Sequence, residues 1–361
     1  MLGKKIELRS NMAKVYLDLE KLKTPNSGLG QFGLHLSNEI IKRLGKNNVG
    51  VYIPEAYTEY YQGVESKTTS ILHKYIGVEV KALVWHSFHQ EAVYFPKDKQ
   101  VKLVLTIHDL NFLDKYSGAK RKRHLRRLQH LVSAVSAVAF ISRYTRKIAE
   151  SHLTFPEGIT KSVIYNGLAV QTDLLPKRPS FVKGVQPFLF TIGIVGEKKN
   201  FHTLVKMMLH LPDLKLFISG TNKTAYGKSI KELIKQYKLE QQVFLTGEIT
   251  EEEKIWMYKN CSAFVFPSLS EGFGLPVVEA MHFGKPLVLS NKTSLPEIGG
   301  TLADYFYSFD EKEMANTVIK AINSYTLEKR AELMQRSELF CWKKAAKDYV
   351  RLYSEVAPIF E

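Results

Sequence analysis

Cysteine is nearly missing: Cys261 and Cys341 are the only two in 361 residues, too few and too far apart for a zinc centre or a disulfide framework. A reducing cytoplasm is the compartment this leads us to expect. No apolar run approaches the roughly 18 residues a membrane span requires, and Met1-Leu2-Gly3-Lys4-Lys5 continues into Glu7, Arg9 and Asn11 without the apolar core of an export signal. No Asp-x-Asp pair occurs either; Asp18-Leu19-Glu20, at the end of the first predicted strand, comes nearest and reads as a solvated turn. Acidic residues are outnumbered, 36 against 51 Lys and Arg, which leaves a net charge of +15. That surplus is uneven. Residues 1–170 carry 26 basic and 14 acidic residues, net +12, whereas 171–361 carry 25 and 22, net +3. A basic half attracts polyanions, whether nucleic acid, an anionic membrane or phosphorylated substrates, without choosing among them.

The remaining composition, 45% hydrophobic and 24% charged, is that of a folded soluble chain and excludes disorder, coiled coil and collagen. Short β-branched runs alternate with helical stretches throughout, the mark of βαβ units around parallel sheets, so the class is α/β. Strands are predicted at 15–19, 49–53, 82–85, 102–107, 137–141 and 162–165, and a second series at 188–192, 214–219, 242–246, 263–266 and 286–289. The Pro- and Lys-rich stretch Leu174–Gly184 between them reads as a linker. The predicted organisation is an N-terminal domain over 1–170, a linker over 171–186, a second domain over 187–340, and a C-terminal helix over 341–361 packing back on the first domain. Two doubly wound domains of this kind would face each other across a cleft, with ligands at the strands' carboxyl ends.

Three loops have the composition of phosphate or polyol sites. Gly28-Leu29-Gly30-Gln31-Phe32-Gly33 precedes a helical pattern of Phe32, Leu36, Ile40 and Leu44. Its glycines would let N–H groups approach an anion, and would serve equally as a flexible loop and helix cap. Thr191-Ile192-Gly193-Ile194-Val195-Gly196-Glu197-Lys198-Lys199-Asn200 ends a strand in glycines and then offers two ammonium groups and an Asn cap, which suits a diphosphate; solvated turn lysines are the other reading. In Ser270-Glu271-Gly272-Phe273-Gly274-Leu275-Pro276-Val277-Val278-Glu279, Pro276 fits a first helical turn, and two carboxylates eight residues apart suit two polyol groups of one ligand.

The segment Glu271–Glu279 resembles the Glu-x7-Glu motif of retaining nucleotide-sugar glycosyltransferases of family 4, which have the GT-B fold of two facing Rossmann-like domains. The resemblance runs in order through the Gly28–Gly33 loop, Thr106-Ile107-His108-Asp109-Leu110, Ser142–Thr145, Val163–Gly167, Lys198-Lys199-Asn200, Gly247-Glu248 and Phe340-Cys341-Trp342. It implies that Glu271 contacts the donor sugar's hydroxyls and Glu279 the ribose. Backbone N–H groups of Gly272, Phe273, Gly274 and Leu275 would meet sugar and phosphates, and Gly193 would belong to the same donor site. Lys199 and Lys198 would bind the diphosphate, and Gly30 would offer its N–H to the distal phosphate. His108 would sit near donor sugar and acceptor, with Asp109 on the acceptor side; read by itself it would more often be a packed or capping histidine, but its strand-end position and the adjacent Asp109 favour the site, and His86, also at a strand end, is a weaker acceptor-side candidate. Ile194 departs from the pattern, since many relatives carry Arg there. The branch most resembled is rich in mannosyltransferases that build bacterial surface polysaccharide.

Catalysis in such an enzyme is charge stabilisation and positioning of a departing nucleoside diphosphate. His108, Glu271 and Lys199 are the candidate catalytic residues, and no cofactor or divalent metal is expected. GDP-mannose is the favoured donor, with UDP- and ADP-sugars open; the acceptor is a glycan or a lipid-linked glycan. Lys120–Leu131 is a basic helix with Leu125, Leu128, Leu131 and Val132 on one stripe, usually a solvated face, but suited to an anionic membrane, so a peripheral position on the inner face of the cell membrane is a further expectation. A nucleic-acid-binding protein would interleave aromatic residues with those charges, and Lys120–Leu131 has none. A nucleotide-sugar epimerase or sugar phosphorylase of the same fold is the alternative within the class.

Overall fold

The computed structural model describes residues 13–25, 27–168, 173–184 and 186–357. The N-terminal residues read for an export signal and part of the predicted linker lie outside these. Two compact units are present, one formed by Met1–Gly167 with Cys341–Glu361 and the other by Leu168–Phe340. Among the described residues no helix is long and apolar enough to cross a membrane.

Seven parallel strands build the sheet of the first unit: β1 (Val15–Asp18), β2 (Val49–Ile53), β3 (Glu65–Thr68), β4 (Val84–Ser87), β5 (Lys102–Ile107), β6 (Ala137–Phe140) and β7 (Thr160–Val163). Their order is β3-β2-β1-β4-β5-β6-β7, so the winding reverses between β1 and β4. β1, β2, β4 and β6 are buried at every position, as central strands covered on both faces must be; β2 and β6 accordingly carry no polar side chain but a tyrosine's, whereas β1 and β4 end in the buried polar residues Asp18 and His86-Ser87. β3 reads Glu-Ser-Lys-Thr and is largely exposed; an edge strand needs no apolar face, and none was predicted there.

The glycines of 28–33 do not form a loop. They are the first turns of the helix Gly28–Leu44, whose N-cap is Ser27. A Cβ on Gly30 would lie 2.7 Å from Pro25 Cα and closer still to the Thr24 carbonyl, so glycine is needed for the preceding turn to fold against the helix. The C-terminal helix Trp342–Val356 also belongs to this unit: Trp342 rings meet Phe32 edge-on and stack on His35.

The second unit has six parallel strands, β8 (Phe188–Ile192), β9 (Lys215–Ser219), β10 (Val243–Gly247), β11 (Ala263–Phe266), β12 (Leu287–Ser290) and β13 (Asp304–Phe306), in the order β10-β9-β8-β11-β12-β13. The winding reverses between β8 and β11. The core under this sheet joins Leu189, Leu204, Leu216, Val265 and Val288 with Met314 and Val318 of the helix Glu311–Asn323. Of the stretch predicted as a linker, Lys177 donates its N–H to the Glu252 carbonyl at 3.0 Å, and the Phe181 ring lies 5.7 Å from Phe217, both within the second unit.

Candidate active site

In open α/β sheets the crevice at the carboxyl ends of the two strands flanking the reversal is where ligands sit. In the second unit those strands are β8 and β11, and the segments that follow them carry most of the predicted donor residues. Gly193 follows β8 with φ +152°, and a Cβ there would come within 3.2 Å of Lys199 Cε. Lys199 is buried, with its ammonium paired to Glu271 Oε1 and 4.7 Å from the centroid of Phe266. A buried ammonium is tolerable only with an opposite charge and hydrogen bonds around it, and the loop after β11 supplies them. The Ser268 hydroxyl donates to Glu271 Oε1 at 2.6 Å, and the Glu271 N–H donates to Thr293 Oγ1 at 3.1 Å. Ser294 Oγ reaches the carbonyls of Glu271 and Phe273, each at 3.0 Å.

The side chain of Lys198, by contrast, is exposed, and its carbonyl pins the two loops together by accepting the Leu269 N–H at 2.7 Å. Asn200 was expected to cap the following helix, but its side chain makes no capping bond; it adopts the left-handed conformation (φ 58°) and its carbonyl receives the Thr203 hydroxyl at 2.7 Å. Asn tolerates that conformation better than most residues, which accounts for its place at the turn.

Gly274 precedes the helix Leu275–His282 with φ +104°, where a Cβ would press to 2.9 Å from Leu295. Pro276 is in the first turn as expected. Phe273 is buried edge-on against Phe340, and Gly272 and Leu275 are partly exposed beside it. Glu279, one turn into the helix, is buried and held by different groups from Glu271: Tyr258 donates to Oε2 at 2.8 Å, and Lys254 lies 3.4 Å from Oε1. Burial, the largest influence on Lys254, favours its neutral form, but the carboxylates of Glu279 and Glu251 outweigh it and raise its pKa. Burial and the Glu279 charge push Tyr258 far above the usual phenol range, so it stays a donor. Lys254 and Tyr258 were not singled out from the sequence. They are four residues apart on the helix Glu251–Asn260, a spacing that shares one helical face, but nothing local says that the face meets Glu279.

In the first unit His108 follows β5 and is buried. Its Nε2 donates to the Phe88 carbonyl at 2.8 Å, so Nδ1 carries the lone pair. Burial drives its pKa down to about 3, against the opposing pull of the Phe88 carbonyl, and the ring is neutral at physiological pH. Asp109 accepts the Asn111 N–H at 2.9 Å in the next turn. The Gly30 N–H, expected to face a phosphate, donates to Ser27 Oγ at 3.1 Å.

Two expectations are corrected here. His86 has no exposed surface, and both its ring nitrogens are engaged, Nδ1 with Tyr353 OH at 2.6 Å and Nε2 with Thr106 Oγ1 at 2.7 Å. It anchors the C-terminal helix and has no surface to offer an acceptor. Asp18-Leu19-Glu20 is not a solvated turn: Asp18 ends β1 at the reversal of the first sheet, is 3% exposed, and burial raises its pKa to about 7. Glu20 beside it is held at about 2, first by His89, whose Nε2 lies 3.6 Å away, and then by Lys21 and Lys23. A strand-end carboxylate was visible in the sequence, but its burial depended on strand order.

Residues 177–339 match the family model described as Glycosyl transferases group 1. O-antigen chain mannosyltransferase B of Escherichia coli is 21% identical over 94% of this chain and 99% of its own length. Serotype-specific mannosyltransferase WbdA of Escherichia coli is 31% identical over 167 residues, 44% of this chain, which spans only 20% of that protein. Among solved structures, sucrose-phosphate synthase from Thermosynechococcus elongatus superposes with a TM-score of 0.73 at 16% identity, covering 95% of this chain and 99% of that one. Anabaena HepE in complex with UDP and glucose gives 0.71 at 17% identity over 95% and 100%. At these identities the likeness establishes the fold, two parallel-sheet Rossmann-like domains of the GT-B type.

Proposed function

We propose that this chain is a retaining family 4 glycosyltransferase that moves a hexose, mannose in preference, from a nucleoside-diphosphate sugar to a glycan or lipid-linked acceptor of a bacterial surface polysaccharide. The observation that carries the reading is the buried Lys199–Glu271 pair at the reversal of the second sheet. The mannosyltransferase names of its relatives favour GDP-mannose; the UDP bound in the Anabaena neighbour keeps a UDP-sugar as the second candidate.

On this reading a diphosphate takes up the charge of Lys199, and the carboxylate of Glu271, already oriented by Ser268, receives sugar hydroxyls. Glu279, fixed by Tyr258 and Lys254, receives the ribose hydroxyls. As the bond between anomeric carbon and phosphate oxygen lengthens, negative charge grows on the leaving diphosphate beside Lys199, where a fixed ammonium stabilises the transition state more than the ground state. A leaving-phosphate oxygen takes the acceptor's proton as the acceptor oxygen bonds to the same face of the sugar, so no second carboxylate base is required. Neutral His108, with Nδ1 as an acceptor, orients a hydroxyl of sugar or acceptor. We also infer that no divalent metal takes part, on the support of the missing Asp-x-Asp and the presence of Lys199, and that the basic first unit works at an anionic membrane.

The test is a thermal-shift series with GDP, UDP and ADP, followed by transfer from the matching labelled sugar nucleotide to an isolated lipid-linked acceptor fraction. One diphosphate should raise the melting temperature by selective binding to the folded state. No shift with any of the three would refute the donor site.

A further inference from the structure

We propose that a basic, amphipathic pocket in the first unit, together with an apolar turn at its lip, seats the protein on a bilayer containing anionic lipid. The inference rests on the membrane position proposed above, but assigns it to a different part of the surface from the helix Gly118–Ala134 as a whole. The pocket holds about 640 Å³ between the C-terminal half of that helix and the segment 92–103. Phe95, Val101 and Leu131 contribute apolar walls. Lys74, Lys99, Lys102 and Arg127, all exposed, contribute cations against the single carboxylate of Asp98. The pocket reaches Lys102 at the start of β5, whereas His108 follows that strand's last residue, roughly 20 Å along at about 3.3 Å per residue. It is therefore separate from the strand-end crevice.

Lys74 and Tyr75 belong both to the pocket and to the helical turn His73–Ile76. On and beside that turn Ile71, Leu72, Tyr75 and Ile76 are 67, 62, 83 and 63% exposed. Soluble surfaces seldom gather large apolar side chains so tightly without a partner. The turn is also held in place. Tyr52 OH and His73 Nδ1 are 3.0 Å apart, Gly77 (φ +76°) brings the chain so close to Lys97 that a Cβ would lie 2.9 Å from its Cα, and Val78 and Phe95 share a 2.8 Å backbone bond. A fixed apolar projection rimmed by lysines has the chemistry of the bilayer interface: aliphatic and aromatic side chains enter the acyl boundary while the cations stay at headgroup phosphates. The charge sign commits the pocket to an acidic headgroup.

The experiment uses the full chain and vesicles of phosphatidylglycerol and phosphatidylcholine, some with brominated acyl chains. A Tyr75→Trp variant, measured against the wild-type tryptophan background, should be quenched by the brominated chains in anionic vesicles and unaffected by pure phosphatidylcholine. Replacing Ile71, Leu72 and Ile76 together by Ser should lower partitioning on the order of tenfold or more, and Lys74, Lys99 and Lys102 together by Gln should lower it on the order of a hundredfold while removing the preference for phosphatidylglycerol. All six side chains are exposed, so the fold should be retained. Co-sedimentation without quenching, or wild-type partitioning in both triple variants, overturns this proposal and leaves the surface-charge reading of the helix standing. No co-sedimentation at low salt defeats both. A dimer that the Ser variant dissolves would make the turn an interface between copies and overturn it as well.

Discussion

A lysine buried against one carboxylate is poised because its partner can be exchanged for a stronger anion. Lys199→Ala should therefore lower the rate of donor turnover by about two orders of magnitude or more, the scale of losing a preorganised charge at a developing anion, with little change in the KM for acceptor; a variant with near wild-type turnover would remove Lys199 from the site. Glu279→Ala should weaken nucleoside-diphosphate binding by about 10- to 100-fold, equivalent to the ~1.5–3 kcal/mol of a charged hydrogen bond. Equal affinities in calorimetry would show that Glu279 serves only to neutralise Lys254. The buried histidines add a pH dependence. His86, His89 and His108 are all shifted down by burial, so the unfolded chain binds protons below about pH 6.5 that the folded chain does not. Their contribution to stability is complete above that pH and is lost progressively on acidification, for His108 down to about pH 3; the raised pKa of Asp18 acts in the opposite direction, costing stability as pH rises from about 4 to about 7. Urea denaturation from pH 7 to 4 should show stability falling on acidification, and His108→Leu should flatten that slope by up to about 1.4 kcal/mol per pH unit. An unchanged slope would mean that His108 is protonated in the folded state.

At the scale of elements, the C-terminal helix and the glycine-started helix are held by contacts that tolerate little change. The Tyr353 hydroxyl is hydrogen-bonded to a fully buried imidazole, and Thr106 links the same imidazole to Tyr349 at 2.9 Å. Tyr353→Phe leaves one nitrogen of His86 unpaired and should cost about 1–3 kcal/mol, the usual penalty for an unsatisfied buried group, read as a lower urea midpoint. Gly28 has open space around it while Gly30 has none, so Gly28→Ala should be neutral or slightly stabilising and Gly30→Ala destabilising. The same midpoints decide it: equal effects at the two positions would contradict the packing of the turn on the helix.

At the scale of the molecule, Gly193, Lys199, Glu271 and Glu279 all belong to the unit Leu168–Phe340, which has its own sheet and core. A fragment of those residues should fold and keep the nucleoside-diphosphate affinity while losing transfer, since His108 and the first sheet are absent from it. A folded fragment that binds no nucleotide would place essential donor contacts elsewhere. If Lys199 carries the leaving diphosphate without a divalent metal, transfer should survive EDTA; loss on chelation with recovery on adding Mg²⁺ or Mn²⁺ would refute that.

Local physics was enough for the strands covered on both faces. β5, β8 and β11 begin and end where their apolar, β-branched runs do, because a strand buried on both sides must be apolar at nearly every position. The same local signals placed Pro276 in a first turn and set Glu271 and Glu279 eight residues apart around it. They did not reveal β3, whose exposed Glu-Ser-Lys-Thr is defined only by pairing with β2, or β13, three residues paired with β12. Nor did they show that Lys254 and Tyr258 reach Glu279, that Asp18 is shut away from water, or that His86 is spent on the C-terminal helix. Each of these depends on which element lies next to which, and that is settled by the order of strands in a sheet and the burial it imposes, long-range quantities that neither composition nor spacing records.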